Sequence, residues 1–440
     1  MGAFSSYLGQ AQWLTYMTDA YTWRVVWFSW WQACLSTVIS LSAAVLVARA
    51  LARRQSFVGR WLLLRCFSVA LVVPSIIAVF GIILLHGKYG YFNQFWLWLG
   101  GQPQSYVYGL TGILLAHVFF NLPLATRILL QRLDAINAET WRLSSQLGMT
   151  SVDLWRHIEW PHIKGVLPQL AALVFALCFT SFAIVMTLGG GPKATTIEVA
   201  IFQAIRFDFD IAKAVYLSLL QMGFCGFILW AGLRLGKPID MFVSLETSAK
   251  NMRPDLKPML GIVSDSVVLL LATLLVLLPL LAVVIAGINP AWADVLLDLR
   301  LWNAFGNSLW VALSSALLSL LMASGLLLAQ RHWRKRYASA ALAVEWMGSV
   351  ILVVPPLVLA TGLFIGLSPH VNVFAINLYI VVLVNALMGL PYMLRVLSVA
   401  YLKIGTDYDR LCSSLGVQGW HRLRHVEWPI LRKPVGLALA

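Results

Sequence analysis

The chain has 440 residues, 60% of them hydrophobic and only 11% charged, a balance that exceeds what a soluble interior can hide and so excludes an ordinary globular protein. A formal charge of +14 could suggest nucleic acid, but no polar domain carries a basic stripe interleaved with stacking aromatics. Lipid suits this composition, with Trp27, Trp30, Trp31, Trp96 and Trp98 placed near a span end or in a loop, where amphipathic rings favour the headgroup boundary.

Residues 1–22 contain neither a signal peptide nor a spanning helix. Apolar stretches long enough to cross a hydrocarbon core, about 20 residues at ~1.5 Å each, follow at 23–47, 61–85, 108–130, 166–187 and 213–235. Four more lie at 261–288, 303–330, 338–365 and 376–400. Backbone groups in lipid must be satisfied within their own segment, so all nine are predicted helices of an all-α polytopic membrane protein. The connections 48–60 (with Arg65 just beyond), 127–164, 234–258, 331–336 and 395–433 hold 26 of the 32 basic residues. The positive-inside rule puts them in the cytoplasm and leaves residues 1–22 outside. Cys34, Cys66, Cys178, Cys225 and Cys412 are scattered without ligand-like spacing and read as small hydrophobes.

A shift of 268 residues lays Leu122-Pro123 on Leu390-Pro391, Arg127 on Arg395, and Arg142-Leu143 on Arg410-Leu411. It also lays Leu147-Gly148 on Leu415-Gly416 and Glu159-Trp160-Pro161 on Glu427-Trp428-Pro429. A shift of 281 lays Val72-Val73-Pro74 on Val353-Val354-Pro355 and Gly81 on Gly362. Six spans separate the two loop copies, an even number, so the repeat is parallel rather than inverted. Each loop reads as two short helices joined at a glycine. In the first, Glu139 complements the opening helix dipole and Gly148 supplies the positive φ that ends the helix. Thr150 or Ser151 caps a second helix with an apolar face of Val152, Trp155 and Ile158, which Pro161 breaks or kinks. The second copy has Asp407, Gly416, and Trp420, Leu423 and Val426 in these places.

These loops resemble the cytoplasmic signature of binding-protein-dependent ABC importer permeases of type I: an acid, two alanines, and a glycine and a proline at set distances beyond. Here it stands as Arg142-Leu143-Ser144, Gly148 and Pro161, and as Arg410-Leu411-Cys412, Gly416 and Pro429, with Leu-Ser and Leu-Cys for the paired alanines and arginine for the acid. The wording around Leu147-Gly148-Met149 and Glu159-Trp160-Pro161 looks most like the fused two-half permeases of thiamine and ferric-iron importers.

The resemblance implies two permease halves in one chain: 23–236, with coupling loop 131–164, and 303–440, with coupling loop 401–433. Residues 237–260 would be a cytoplasmic linker, and 261–302 the leading helix and external loop of the second half. By the same comparison the chain is expected to be truncated at both ends, lacking a first leading helix and about 60 carboxy-terminal residues. The implied ATPase-coupling residues are Glu139, Arg142, Leu143, Ser144, Leu147, Gly148 and Pro161, with Asp407, Arg410, Leu411, Cys412, Leu415, Gly416 and Pro429. The implied setting is the bacterial inner membrane. The partners are two copies of a cytoplasmic ABC ATPase and a periplasmic solute-binding protein, with no cofactor and no catalytic residue in this chain. Thiamine-like cations, ferric iron and other small solutes all remain open as substrate.

Gly189-Gly190-Gly191-Pro192-Lys193 lacks the Gly-Lys-Ser/Thr ending of a phosphate loop and reads as an external turn. His157 and His425 stand at equivalent loop positions without a ligand cluster, which favours an interfacial or structural role over a metal. His117 and Asn385, equivalent under the 268 shift, lie about 15 Å of helix from Arg127 and Arg395, near the bilayer midplane. They are candidates for lining a pathway or for structural hydrogen bonds. Arg65 and Glu345 are placed either to pair across a pseudo-twofold axis or to snorkel. The rival reading is an ion-coupled secondary transporter, for which Glu345 is the one buried acid to offer; a membrane enzyme would need a polar cluster at one depth.

Overall fold

The computed structural model describes residues 10–191, 194–236, 253–256, 259–288, 292–334, 354, 356–373 and 375–439, which are helical without a strand. The chain divides into two compact units, one ending at Asn289 and the other beginning at Pro290.

The first unit opens with α1 (Gln10–Thr18) and α2 (Ala20–Arg53), which Asp19 caps by accepting from the backbone N–H groups of Tyr21 and Thr22. At 34 residues α2 is about 51 Å long, against a hydrocarbon core of about 30 Å, so its last turns, with Arg49 and Arg53, stand clear of lipid. The stretch predicted as one span over 61–85 is divided into α3 (Arg60–Val72) and α4 (Ser75–His86). Pro74 has no N–H to donate and holds Val73 in extended backbone, so the helix stops and restarts. Spanning length is reached instead by α4 together with α5 (Tyr91–Trp98).

There follow α6 (Leu110–Asp134), α7 (Ala138–Gln146), α8 (Ser151–Lys164) and α9 (Leu167–Phe179). Next come α10 (Phe182–Leu188), α11 (Ile197–Arg206), α12 (Ile211–Leu235) and, past residues 253–256, α13 (Met259–Gly287). α6 packs along α2, and α9 lies against both α2 and α12. Buried Ala33, Ala44 and Ala48 on α2, with Ala116 and Ala125 on α6, let the backbones approach, which matters where lipid supplies no hydrophobic drive between helices. Trp30 locks the bundle, its ring centroid 5.1 Å from that of Phe175 and 5.5 Å from that of Phe224. α13 packs against α4, α2 and α3. At its closest, a Cβ added to Gly81 would lie 2.3 Å from the Pro279 carbonyl oxygen.

The second unit comprises α14 (Trp292–Leu297), α15 (Leu299–Arg334), α16 (Pro356–Leu367) and α17 (Asn377–Lys403), then α18 (Asp409–Ser414), α19 (Gly419–Arg422) and α20 (Trp428–Leu439). α15 and α17 pair around Ala323, Leu327, Leu390, Leu397 and Ile404, and Leu431 of α20 closes the cluster.

Among the described residues seven stretches, six single helices and α4 with α5, are long and apolar enough to cross a bilayer, and α8 with α9, bent by 57°, makes an eighth. Nine were predicted. The remaining one, 338–365, falls largely outside the described residues, as does Glu345, leaving only the short apolar α16.

Candidate functional site

The two loops end their first helices identically. In α7 the N–H of Gly148 donates to the Ser145 carbonyl at 3.2 Å and that of Met149 to the Ser144 carbonyl at 3.1 Å. In α18, Gly416 donates to Ser413 at 3.4 Å and Val417 to Cys412 at 2.9 Å, the same atoms displaced by 268 residues. This is the Schellman closure, and it needs a residue at positive φ: Gly148 has φ 64° and Gly416 φ 67°. Thr150 caps α8 in a reciprocal box, its hydroxyl accepting from the Asp153 N–H while the Asp153 carboxylate accepts from the Thr150 N–H at 3.0 Å. The Thr150 hydroxyl, which also donates to the Asp153 carboxylate at 2.6 Å, and then the Thr150 N–H hold that carboxyl below its usual range.

Pro161 was expected to break or kink the second helix, but α8 continues through it. One π turn, Trp155–Glu159, stands just before the proline, with the N–H of Trp160 reaching the Trp155 carbonyl. The wider turn accommodates the missing donor, and the break falls after Lys164 instead. Leu423–Glu427 makes the same π turn before Pro429.

The loops also match in what they show and hide. Leu143 and Leu147 are 56% and 68% exposed, and Leu411 and Leu415 are 51% and 68%. Ser144 and Cys412 between them are buried, which explains why small residues stand there. Glu139, Arg142 and Pro161 are exposed, as is Pro429, and Glu139 lies in the first turn of α7. The expected apolar face of α8 is split, with Ile158 buried and Val152 exposed. In the second loop Asp407 falls in a π turn, Ile404–Tyr408, and Asp409 takes the first turn of α18. The side chains of Asp407 and Arg410 lie outside the described residues.

Behind each leucine pair sits a cluster of charges that the sequence reading did not assign. In the first unit, buried Glu159 accepts from Arg49 of α2 at 2.6 Å and from Arg253 at 2.5 Å. Arg253 also bonds Asp255 at 3.0 Å and lies 4.2 Å from the Trp141 ring centroid. Burial alone would lower the pKa of Arg253, but Asp255 and Glu159 outweigh it and hold the guanidinium above its ordinary value. Burial would raise that of Asp255, but Arg253, Arg53 and Arg49 hold it below the usual carboxylate range. Arg53 and Arg54 bond Asp265 of α13 at 2.5 and 3.0 Å. In the second unit Glu427 meets Arg331 of α15 and Arg422 of α19, each at 2.9 Å, and Asp409 bonds the same two arginines. Buried ion pairs contribute little net stability, whereas removing one partner costs ~3–5 kcal/mol, so such clusters fix position more than they add strength.

His117 is enclosed within the first bundle, its Nδ1 2.9 Å from the Ser36 hydroxyl, whereas Asn385 is exposed on α17. Arg65 lies 3.6 Å from the Trp61 ring centroid. His157 Nδ1 sits 3.1 Å from the Asp153 carbonyl oxygen, and the described residues hold no group of three metal-ligating side chains.

A chain of membrane-crossing helices that displays a glycine-jointed helix pair twice, in register, is a transport permease built by duplication. The family described as binding-protein-dependent transport system inner membrane component matches residues 24–234. The thiamine transport system permease protein ThiP of Salmonella typhimurium is 44% identical over 429 residues, covering 97% of this chain and 79% of that relative. That of Escherichia coli K12 is 43% identical, covering 98% and 80%, and that of Haemophilus influenzae 38%, covering 100% and 82%. The chain belongs to the binding-protein-dependent ABC importer permeases.

Proposed function

We propose that this permease carries thiamine across the inner membrane and is driven by separate ATPase subunits, which dock on 131–164 and 401–433 in the cytoplasm. The observation behind this reading is the pair of exposed leucines, Leu143 with Leu147 and Leu411 with Leu415, that each short helix presents at spacing i, i+4. Two leucines one turn apart on a helix outside the spans form the anchor of a helix-in-groove contact. The same anchor shown twice suits a symmetric ATPase pair. The solute follows from the relatives, whose names record thiamine transport. A soluble binding protein delivers it from outside, and ATP-driven closure of the ATPase pair moves the two loops and opens the pore.

The test is uptake of labelled thiamine into vesicles holding the permease, its ATPase and its binding protein. Uptake is expected to require ATP, and Leu147→Asp with Leu415→Asp is expected to abolish co-purification of the ATPase while the permease remains inserted. Uptake that follows an ion gradient without ATP would replace this reading with the secondary transporter.

The topology has its own check. Single cysteines at Glu139 or at Trp420, both exposed, are expected to resist an impermeant thiol reagent in intact cells and to react once the membrane is opened. Prompt labelling of intact cells would place the loops on the wrong side for an ATPase.

A further inference from the structure

We infer that each docking loop is fastened to the membrane helix leading into its bundle by a joint of arginines around two carboxylates, and that Arg253 completes the first of these joints. This inference rests on the permease reading above. Glu159 and Glu427 are equivalent under the 268 shift and end the same π turn. Each reaches an arginine near the end of a long spanning helix, Arg49 in α2 and Arg331 in α15. Arg49 also donates to the Ser151 carbonyl at 2.9 Å, so one guanidinium grips both ends of the Ser151–Glu159 segment. A helix held at both ends by one side chain cannot be displaced without carrying that side chain's own helix with it.

The second joint draws its other members from its own loop, Arg422 and Asp409. The first loop has apolar residues at those two places: Leu154 stands where the shift puts Arg422, and Trp141 where it puts Asp409. The missing charges come from the segment between the halves. Arg253 bonds Glu159 and lies over the Trp141 ring, and Asp255 supplies the second carboxylate. Both joints therefore hold two carboxylates between arginines, by different routes, and the first has a third cation, Arg53, 4.0 Å from Asp255. In the first, the linker is a working part of the transmission and not only a tether. Arg253, Glu159 and Glu427 are positioning residues: they act through the helices they tie.

The experiment measures ATP hydrolysed per thiamine taken up, in vesicles with ATPase and binding protein, for Glu159→Gln, Glu427→Gln, Arg253→Gln and Arg253→Lys. Arg253→Gln alters no spanning helix and leaves the Arg49–Glu159 pair in place, so it remains informative if the glutamate variants assemble poorly. A transmission joint predicts about tenfold more ATP per thiamine for Arg253→Gln with the ATPase still bound, and partial recovery for Arg253→Lys. A fastening that only supports the fold would reduce the amount of assembled complex and leave ATP per thiamine unchanged, and that result would overturn the inference. Uptake by the unaltered chain that follows an ion gradient without ATP would overturn the permease reading and the joint with it.

Discussion

Valine at Gly148 or Gly416 is expected to lower ATP-driven uptake about tenfold or more, at unchanged membrane levels, with the double variant inactive. A Cβ at either position would meet nothing within 4 Å, so the penalty comes from backbone conformation alone. At φ 64° and 67° an L-residue costs ~1–2 kcal/mol, and branching at Cβ adds to this. The chain can relieve the strain by giving up the closure to Ser144 or Cys412, which re-aims the helix that follows. Asparagine tolerates this region best among the larger residues, so activity should fall in the order glycine, asparagine, alanine, valine. Equal activity for asparagine and valine would show that the turn does not set the aim. On the proposed mechanism one ATPase pair moves both loops together, so damage to one should not be offset by the other.

Gly81 is expected to fail for the opposite reason, through lack of space. Its Cβ would stand 2.3 Å from the Pro279 carbonyl oxygen and 3.1 Å from the Val283 Cγ2, and the nearer obstacle is backbone that cannot rotate away. Even Gly81→Ala must push α4 from α13, an overpacking cost of ~1–3 kcal/mol, and Gly81→Val more. The unfolding midpoint of the purified protein in detergent should fall stepwise through alanine and valine. Gly223→Ala is the control: it lies in α12 with open space around it, and alanine should be neutral or slightly stabilising there. A midpoint unmoved by Gly81→Val would mean that α4 and α13 do not meet as described.

Spans and duplication were legible because both are local or periodic. Apolar length marks a helix in lipid, and a fixed shift reveals a repeat without any knowledge of packing. Gly148 and Gly416 announced their turns because positive φ selects glycine. Pro74 misled within the 61–85 stretch: hydropathy runs through it undisturbed, while the missing N–H interrupts the helix. Pro161 misled in the other direction, since a π turn admits a proline that an α-helix would not. The joints were illegible for another reason. Arg49 and Glu159 are 110 residues apart, and no spacing rule links them. Arg49, Arg253 and Arg331 had already been explained by the positive-inside count, which uses charge and asks for no partner. The repetition of Glu159 at Glu427 was visible, and it was the one signal that could have marked the glutamate as more than part of a motif.

The placement of α13 bears on how such a chain is made. Among the described residues, the helices that α13 packs most against, α2, α3 and α4, precede it in the sequence, and so do Arg53 and Arg54, which hold Asp265. A ribosome delivers those elements first, so α13 finds them already in place when it leaves the insertion machinery. The order of synthesis and the order of burial thus run in the same direction through residue 287.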